Sequence, residues 1–305
     1  MKICLTNKYG TWQSVGTGKG YFAVRLIGAM KKFGVTVTSD PGEKVDIDLQ
    51  FGKYVYEPVN ARASIIRMGP PHIDKHYMKQ NKLKRIAIKR ADGFIYQSHY
   101  GMRMCDVFIG PFQRGPKTVI HNGAVPMQTD SKVGKLFVAS TRKWARQKRL
   151  KHILRAFLLA DIPDAKMVVM GETKQNIDDR RIVYLGPCAQ HTIAYNLKMA
   201  DVLVSVVWLD CMPNSVCEAL CAGCKVITAS ESGVPEIAPD LVLKENEWDF
   251  KPCDGNKPPG LDENALAELM RKSLTMPKPY FGHVDIDFIA KQYIDFFGEV
   301  LDGRS

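Results

Sequence analysis

The segment from Asp210 to Ile237, DCMPNSVCEALCAGCKVITASESGVPEI, carries acidic residues at fixed intervals around one proline and one glycine. Pro213 stands where a first helical residue is favoured, because its missing N–H would be unpaired there anyway. Gly223 stands where a chain leaves a helix through left-handed backbone. The spacing predicts a helix over residues 213–222 whose free N–H groups point back at the loop around Asp210. Such a helix end attracts anions, above all phosphate. Glu218 lies four residues after Asn214, on the same face and one turn deeper. A ligand with a phosphate at the helix end and hydroxyls further along fits this pattern. Earlier in the chain, Arg142 and Lys148 follow the apolar run KLFVAS and straddle a loop at the carboxyl end of a predicted strand. Open α/β sheets bind ligands at that edge. A forked guanidinium beside a point-charge ammonium would stabilise a diphosphate that gains charge as it departs, without needing a metal. Lys143, Arg146 and Arg149 crowd the same stretch, so a basic surface turn is the alternative reading.

The elements that must hold these residues alternate along the chain. KICLTN, VTVTS, IDLQF, SIIRM, GFIYQS and TVIHNG read as strands in the first half, with a helix over 20–33 placing Phe22, Leu26, Ala29, Met30 and Phe33 at helical spacing. The pattern restarts with KLFVAS, a helix over about 148–160, KMVVMG, IVYLG, a helix ending near Ala200, VLVSVV and KVITAS. Alternation of this kind predicts open parallel sheets of α/β type, in two Rossmann-like domains joined near residues 123–133. After Asp285 a last helix carries Phe288, Ile289, Tyr293, Phe296 and Phe297.

The Asp210–Glu236 segment resembles the C-terminal signature of retaining glycosyltransferases with the two-domain GT-B fold, in the large family called group 4. That signature is an acidic residue, seven others, a Glu in a short helix, a small-residue strand and a Gly-Gly-x-x-Glu-like loop. Asp210 and Glu218 keep the spacing, with Asp in place of the usual Glu, and Ser232-Gly233-Val234-Pro235-Glu236 has Val234 where the signature has glycine. Gly16-Thr17-Gly18-Lys19-Gly20 before the first helix is similar to the family's glycine loop, and ADGFIYQSHYGM and the VIHNG turn match patterns of one branch.

The resemblance implies a GT-B architecture. Residues 1–126 would be an acceptor domain and 127–284 a nucleotide-sugar donor domain, facing each other across a cleft. The helix of 285–305 would cross back to the first domain. It implies that Arg142 and Lys148 hold the donor diphosphate, and that Asp210 with the backbone of Met212, Pro213 and Asn214 faces sugar and phosphates. Gly18 and Gly20 would approach the donor, and a histidine at a first-domain strand end would position the sugar. His72, after SIIRM, is the first choice for that role and His99 the second, against an ordinary loop histidine. Glu218 suits a ribose, since a carboxylate accepts from two adjacent hydroxyls at once.

Composition sets the partners and the setting. A hydrophobic content of 45% and a charged content of 25% are those of a globular chain long enough for two domains. No apolar run reaches the roughly 20 residues that span a bilayer, and MKICLTNKYG lacks the apolar core of a secretory signal. Eight cysteines without small-secreted-domain spacing point to reduced thiols and a cytoplasmic setting. Residues 1–127 carry 20 Lys and Arg against 8 acids, and residues 128–305 carry 23 against 24. The whole basic excess therefore belongs to the first half. It reads either as a solvated basic face or as a surface for an anionic acceptor, with peripheral membrane contact through a basic helix over Lys75–Arg90, and with nucleic acid as a less favoured partner. Cys211, Cys217, Cys221 and Cys224 lack paired zinc-ligand spacing, and the Asp-Ile-Asp triplets at 46–48 and 285–287 read as structural.

The sequence therefore predicts an enzyme moving a hexose-type sugar from a UDP- or GDP-sugar to a glycan, lipid or other acceptor with retention. It would need no cofactor and no essential divalent metal. A nucleotide-sugar- or polyanion-binding protein of the same fold, without transfer, is the alternative.

Overall fold

A computed structural model describes residues 1–6, 18–51, 59–110, 115–128 and 134–303. The chain divides into two compact units. One comprises Met1–Val125, Phe250–Cys253 and Asp285–Ser305, the other Pro126–Asp249 and Asp254–Val284.

The first unit is a parallel sheet of β1 (Lys2–Thr6), β2 (Thr36–Thr38), β3 (Val45–Phe51), β4 (Ala61–Arg67), β5 (Gly93–Tyr96) and β6 (Lys117–Val119), in the order β2-β1-β3-β4-β5-β6. Its strands are apolar on both faces because helices cover both. One face packs against α1 (Gly18–Lys32) and α8 (Ile286–Asp302), through Phe22, Leu26 and Met30 on the one and Ile289, Tyr293, Phe296 and Phe297 on the other. The other face buries Ile66, Phe94 and Tyr96 against α2 (Asn81–Ile88) and α3 (His99–Phe108). The last helix thus returns to the first unit, as the resemblance implied. Its start is fixed by Asp285, whose carboxylate accepts from the Asp287 N–H at 2.8 Å. The other Asp-Ile-Asp triplet lies within β3, where buried Asp48 accepts from Thr6 Oγ1 at 2.8 Å and Gln50 Nε2 at 2.8 Å.

Two readings need correction here. The helix expected over 20–33 ends at Lys32, so Phe33 lies just past α1 and is 40% exposed, while Phe288 lies on α8 as expected and is exposed. The basic stretch over Lys75–Arg90 is not one helix. It is a 3-10 turn at Met78–Gln80 followed by the two-turn α2, with Ile86 exposed and Ala87 buried.

The second unit is a parallel sheet of β7 (Leu136–Lys143), β8 (Lys166–Glu172), β9 (Ile182–Gly186), β10 (Val202–Ser205), β11 (Lys225–Ala229) and β12 (Val242–Leu243), ordered β12-β11-β10-β7-β8-β9. Chain order runs outward from β7 in one direction and resumes at β10 in the other, so the β7/β10 boundary is the topological switch point. Helices α4 (Leu150–Ala160) and α7 (Glu263–Ser273) bury Ile153, Leu154, Phe157, Leu266 and Met270 against the sheet. Helices α5 (Gln190–Met199) and α6 (Asn214–Cys221) pack on each other.

Two glycines shape the switch-point edge. Between the pairs Ser140↔Met170 and Lys143↔Glu172, β7 holds one residue more than β8, a bulge that contains Thr141 and Arg142. It is accommodated by Gly171, at φ +115°, where an added Cβ would lie 1.9 Å from the Thr141 carbonyl oxygen. Gly223 ends α6 at φ +68°, with the Cys224 N–H reaching the Ala219 carbonyl at 2.8 Å and the Gly223 N–H reaching Leu220 at 2.8 Å. Open space surrounds it. Urea denaturation should therefore separate the two positions. Gly223→Ala is expected to lose about 1 kcal/mol, the left-handed backbone penalty alone. Gly171→Ala is expected to lose about 3 kcal/mol, because the bulge must also shift. Equal losses would show that the close approach at Gly171 is relieved at no cost.

Candidate functional site

At the carboxyl edge of the second sheet, three loops are tied together by backbone hydrogen bonds. The Trp208 N–H, after β10, donates to the Gln147 carbonyl, after β7, at 2.9 Å. The Leu209 N–H donates to the Glu231 carbonyl, after β11, at 2.8 Å, and the Gly233 N–H donates to the Asp210 carbonyl at 2.9 Å. Each bond satisfies a group that would otherwise face a partly buried loop, so the three loops hold one another in register.

Lys148 and Asp210 meet on this frame. Lys148 closes the 3-10 turn Arg146–Lys148, and its half-buried ammonium donates to Thr141 Oγ1 on the β7 bulge. Burial pulls its pKa below the ordinary lysine range, and the charge of Asp210 offsets that only in part. Burial likewise lifts the Asp210 carboxyl above the ordinary carboxylate range, against the Met212 N–H, which donates to Asp210 Oδ1 at 3.0 Å, and the Lys148 charge. Both groups are thus held in surroundings that favour their neutral forms. The backbone next to each is left-handed without glycine: Leu209 has φ 58° and Arg149 φ 57°. Non-glycine residues enter that region at a cost of about 1–3 kcal/mol and persist where the surroundings over-determine them.

The helix predicted over 213–222 is α6, starting one residue later. Pro213 is its extended N-cap (φ −69°, ψ 131°), and its carbonyl accepts from the Val216 N–H at 3.2 Å. Asn214 opens the helix and is half-buried, and Met212 is buried. The Met212 N–H turns toward Asp210, which leaves the amides from Asn214 onward to define the helix end. Glu218 follows one turn in, with 6% of its surface exposed, and its Oε1 accepts from Gln190 Nε2, at the start of α5, at 3.0 Å. Arg142 lies on the exposed tip of β7, in the bulge beside Thr141. Val234, where the signature has glycine, is fully buried in a 3-10 turn and points into the unit.

The remaining predicted residues belong to the first unit. Gly18 and Gly20 open α1, while Gly16 and Thr17 lie outside the described residues. His72 is half-buried in the loop after β4. Its N–H donates to Asn81 Oδ1 at 2.9 Å and its carbonyl accepts from Asn81 Nδ2 at 2.8 Å. His99 is the exposed first residue of α3.

The sequence reading missed Thr141, Gln190, Arg149 and Glu245. Thr141 and the bulge had a signal in Gly171. Arg149, read as one of several surface cations, is in fact buried and ion-paired to Glu245 at 2.6 Å. Among the described residues no group of three or more His, Cys, Asp or Glu is placed to hold a metal ion, and no helix is long and apolar enough to cross a membrane. A separate cavity of about 190 Å³ lies against the amino end of β11, between Lys225, Pro239, Pro277 and Tyr280, and none of the predicted residues lines it.

The family model described as "Glycosyl transferases group 1" matches residues 134–271. No curated protein matches the chain in sequence. Solved structures of the same fold include sucrose-phosphate synthase from Thermosynechococcus elongatus, 12% identical with a TM-score of 0.58 over 99% of each chain. A glycosyltransferase of avilamycin A biosynthesis is 15% identical, with a TM-score of 0.61 over 99% of this chain and 98% of that one. A UDP-forming α,α-trehalose-phosphate synthase from Burkholderia xenovorans is 13% identical, with a TM-score of 0.57 over 92% of this chain and 78% of that one.

The Asp210 environment has a measurable consequence. Its pKa is raised in the folded state, so between the unfolded value of about 3.9 and the folded one the native protein binds more protons than the unfolded chain. Stability contributed at this position therefore falls as pH rises through that window. Asp210→Asn keeps an acceptor for the Met212 amide and removes the titration. Urea melts of the two proteins at stepped pH should show wild type losing stability relative to the variant as pH rises from about 4 toward 7. A constant difference would mean that Asp210 is no harder to ionise than in the unfolded chain.

Proposed function

From the match of residues 134–271 to the glycosyl transferases group 1 model and from the GT-B fold of the chain, we propose a retaining transferase that takes a hexose-type sugar from a nucleoside diphosphate donor. The observation that carries the proposal is the partly desolvated Lys148–Asp210 pair at the switch point of the second sheet, beside the amino end of α6. A diphosphate placed there meets an ammonium, the exposed guanidinium of Arg142 and helix N–H groups, all set before the ligand arrives. In this reading Glu218, buried and accepting one hydrogen bond from Gln190, takes the two ribose hydroxyls.

The chemistry follows from charge. As the glycosidic bond lengthens, negative charge accumulates on the leaving diphosphate. Fixed cations at low dielectric lower that state's energy more than the ground state's. Arg142 and Lys148 supply the charge a divalent metal would otherwise bring, so no metal is essential in this reading. Asp210 faces the sugar and phosphates, and a leaving phosphate oxygen takes the acceptor's proton, which delivers the acceptor to the face being vacated. His72, Gly18 and Gly20 are the first unit's candidates for donor contact in this proposal.

Of the UDP- and GDP-sugars, the neighbouring structures favour a uridine donor. One of the synthases is UDP-forming, and a pneumococcal O-GlcNAc transferase that shares the fold was solved with UDP and GlcNAc, over 91% of this chain and 60% of that one. The basic excess of residues 1–127 supports an anionic or glycan acceptor and allows contact with an acidic membrane surface.

A thermal-shift panel of UDP- and GDP-sugars tests the reading. The cognate donor at a hundredfold over its Kd should stabilise the protein by ~2.7 kcal/mol. Arg142→Ala, Lys148→Met and Glu218→Ala should each reduce transfer by at least ~10²-fold while the melts stay cooperative, and a chelator should leave transfer unchanged. Donor binding without transfer or hydrolysis would turn the assignment to a nucleotide-sugar-binding protein. Full activity in any of the three variants would remove that residue from the site.

A further inference from the structure

Arg149 follows Lys148 directly and joins its 3-10 turn to α4 in left-handed backbone, at φ 57°. Glycine is the residue that adopts this conformation freely, yet an arginine occupies it. Its side chain is fully buried. One terminal nitrogen pairs with Glu245 Oε1 at 2.6 Å and reaches the Pro259 carbonyl at 3.3 Å, and the other reaches the Val206 carbonyl at 3.4 Å. The Glu245 side chain is 5% exposed, and neither of its carboxylate oxygens has a further hydrogen-bond partner among the described residues, where Arg149 alone answers that charge.

A buried ion pair of this kind adds little net stability, because removing two charges from water offsets their attraction. Two such residues, one in strained backbone, are better explained by what they hold in place. Arg149 ties the turn carrying Lys148 to the strand end before Asp210, through Val206, and to the loop after β12, through Glu245. The Glu245 N–H in turn donates to Ser230 Oγ at 3.0 Å, after β11, and the Trp248 N–H donates to Glu231 Oε2 at 3.1 Å. Loops after β10 and β12 therefore meet the guanidinium that follows β7, and the loop after β11 joins them through the backbone beside Glu245.

We propose that Arg149 and Glu245 form an internal brace that positions Lys148 for the donor diphosphate and do not themselves touch the ligand. The inference rests on the donor-site reading given above. In it the brace acts on phosphate recognition, while Glu218, at the other end of the site and held by Gln190, reads the ribose independently.

The test compares binding of a nucleoside with that of its diphosphate. UDP and uridine, or GDP and guanosine, are titrated into wild type, Glu245→Gln and Arg149→Gly. Glu245→Gln keeps the side-chain shape, and Arg149→Gly suits the backbone angle while deleting the brace. We expect the diphosphate Kd to weaken at least tenfold in each folded variant while the nucleoside Kd stays within twofold. An unchanged diphosphate Kd in Glu245→Gln would overturn the brace, even if Arg149→Gly failed to fold. So would parallel weakening of nucleoside and diphosphate, which would indicate general loosening. Wild type that binds neither nucleoside diphosphate would instead overturn the donor-site reading, and the brace with it.

Discussion

Everything at the edge of the second sheet turns on holding one ammonium and one carboxylate partly out of water before any ligand is present. Burial disfavours both charges, so Lys148 and Asp210 are each pushed toward neutrality and each only partly compensated by the other. Such an arrangement is poor for stability, and in the proposed reading it serves a diphosphate because the ammonium is positioned in advance. The surrounding structure accepts the burden. Two non-glycine residues, Leu209 and Arg149, are bent into left-handed backbone beside the two charges. Hydrogen bonds between the loops after β7, β10 and β11 keep them there.

The fold explains why this happens at one place. In a parallel sheet the loops leaving β7 and β10 diverge to opposite sides, and the gap between them exposes the ends of two strands at once. The β7 bulge then turns Thr141 and Arg142 at the rim, and Gly171 makes room for it by bringing β8 against the Thr141 carbonyl. Position in the sheet, the bulge and the loop ties are separate devices that act on the same edge of the sheet, where the charges of Lys148 and Asp210 interact. The first unit is built on different terms. Its sheet is sealed by α1 and α8, and buried Arg67 stacks over Phe22 at 4.6 Å and Phe51 at 5.1 Å while donating to Tyr293 Oη at 3.1 Å. That guanidinium fastens the last helix to the sheet.

Much of this was legible in the residues themselves. Strand–helix alternation is a local signal, and it recovered the parallel α/β architecture, while the return of α8 came from the resemblance alone. Helix α6 was legible because proline and glycine punctuate it, and Gly223 has the left-handed backbone expected of it. Phe33 and Phe288 stand at helical spacing yet are exposed, because periodicity fixes a face only approximately and does not say which edge of that face the neighbouring element covers. The Lys75–Arg90 stretch has helix-forming composition, yet the structure breaks it at a 3-10 turn after Asp74, whose carboxylate accepts from the His76 N–H at 2.8 Å. Long-range pairs were invisible. Nothing near Arg149 announces Glu245, and nothing near Glu218 announces Gln190, since those contacts exist only once distant segments have packed.

The most direct measurement is a crystal structure of the protein with a nucleoside diphosphate bound. The account predicts diphosphate oxygens within hydrogen-bonding distance of Lys148 Nζ and of N–H groups in the first turn of α6, with the ribose hydroxyls on Glu218. A nucleotide bound elsewhere on the second unit, with Lys148 still donating only to Thr141, would contradict it.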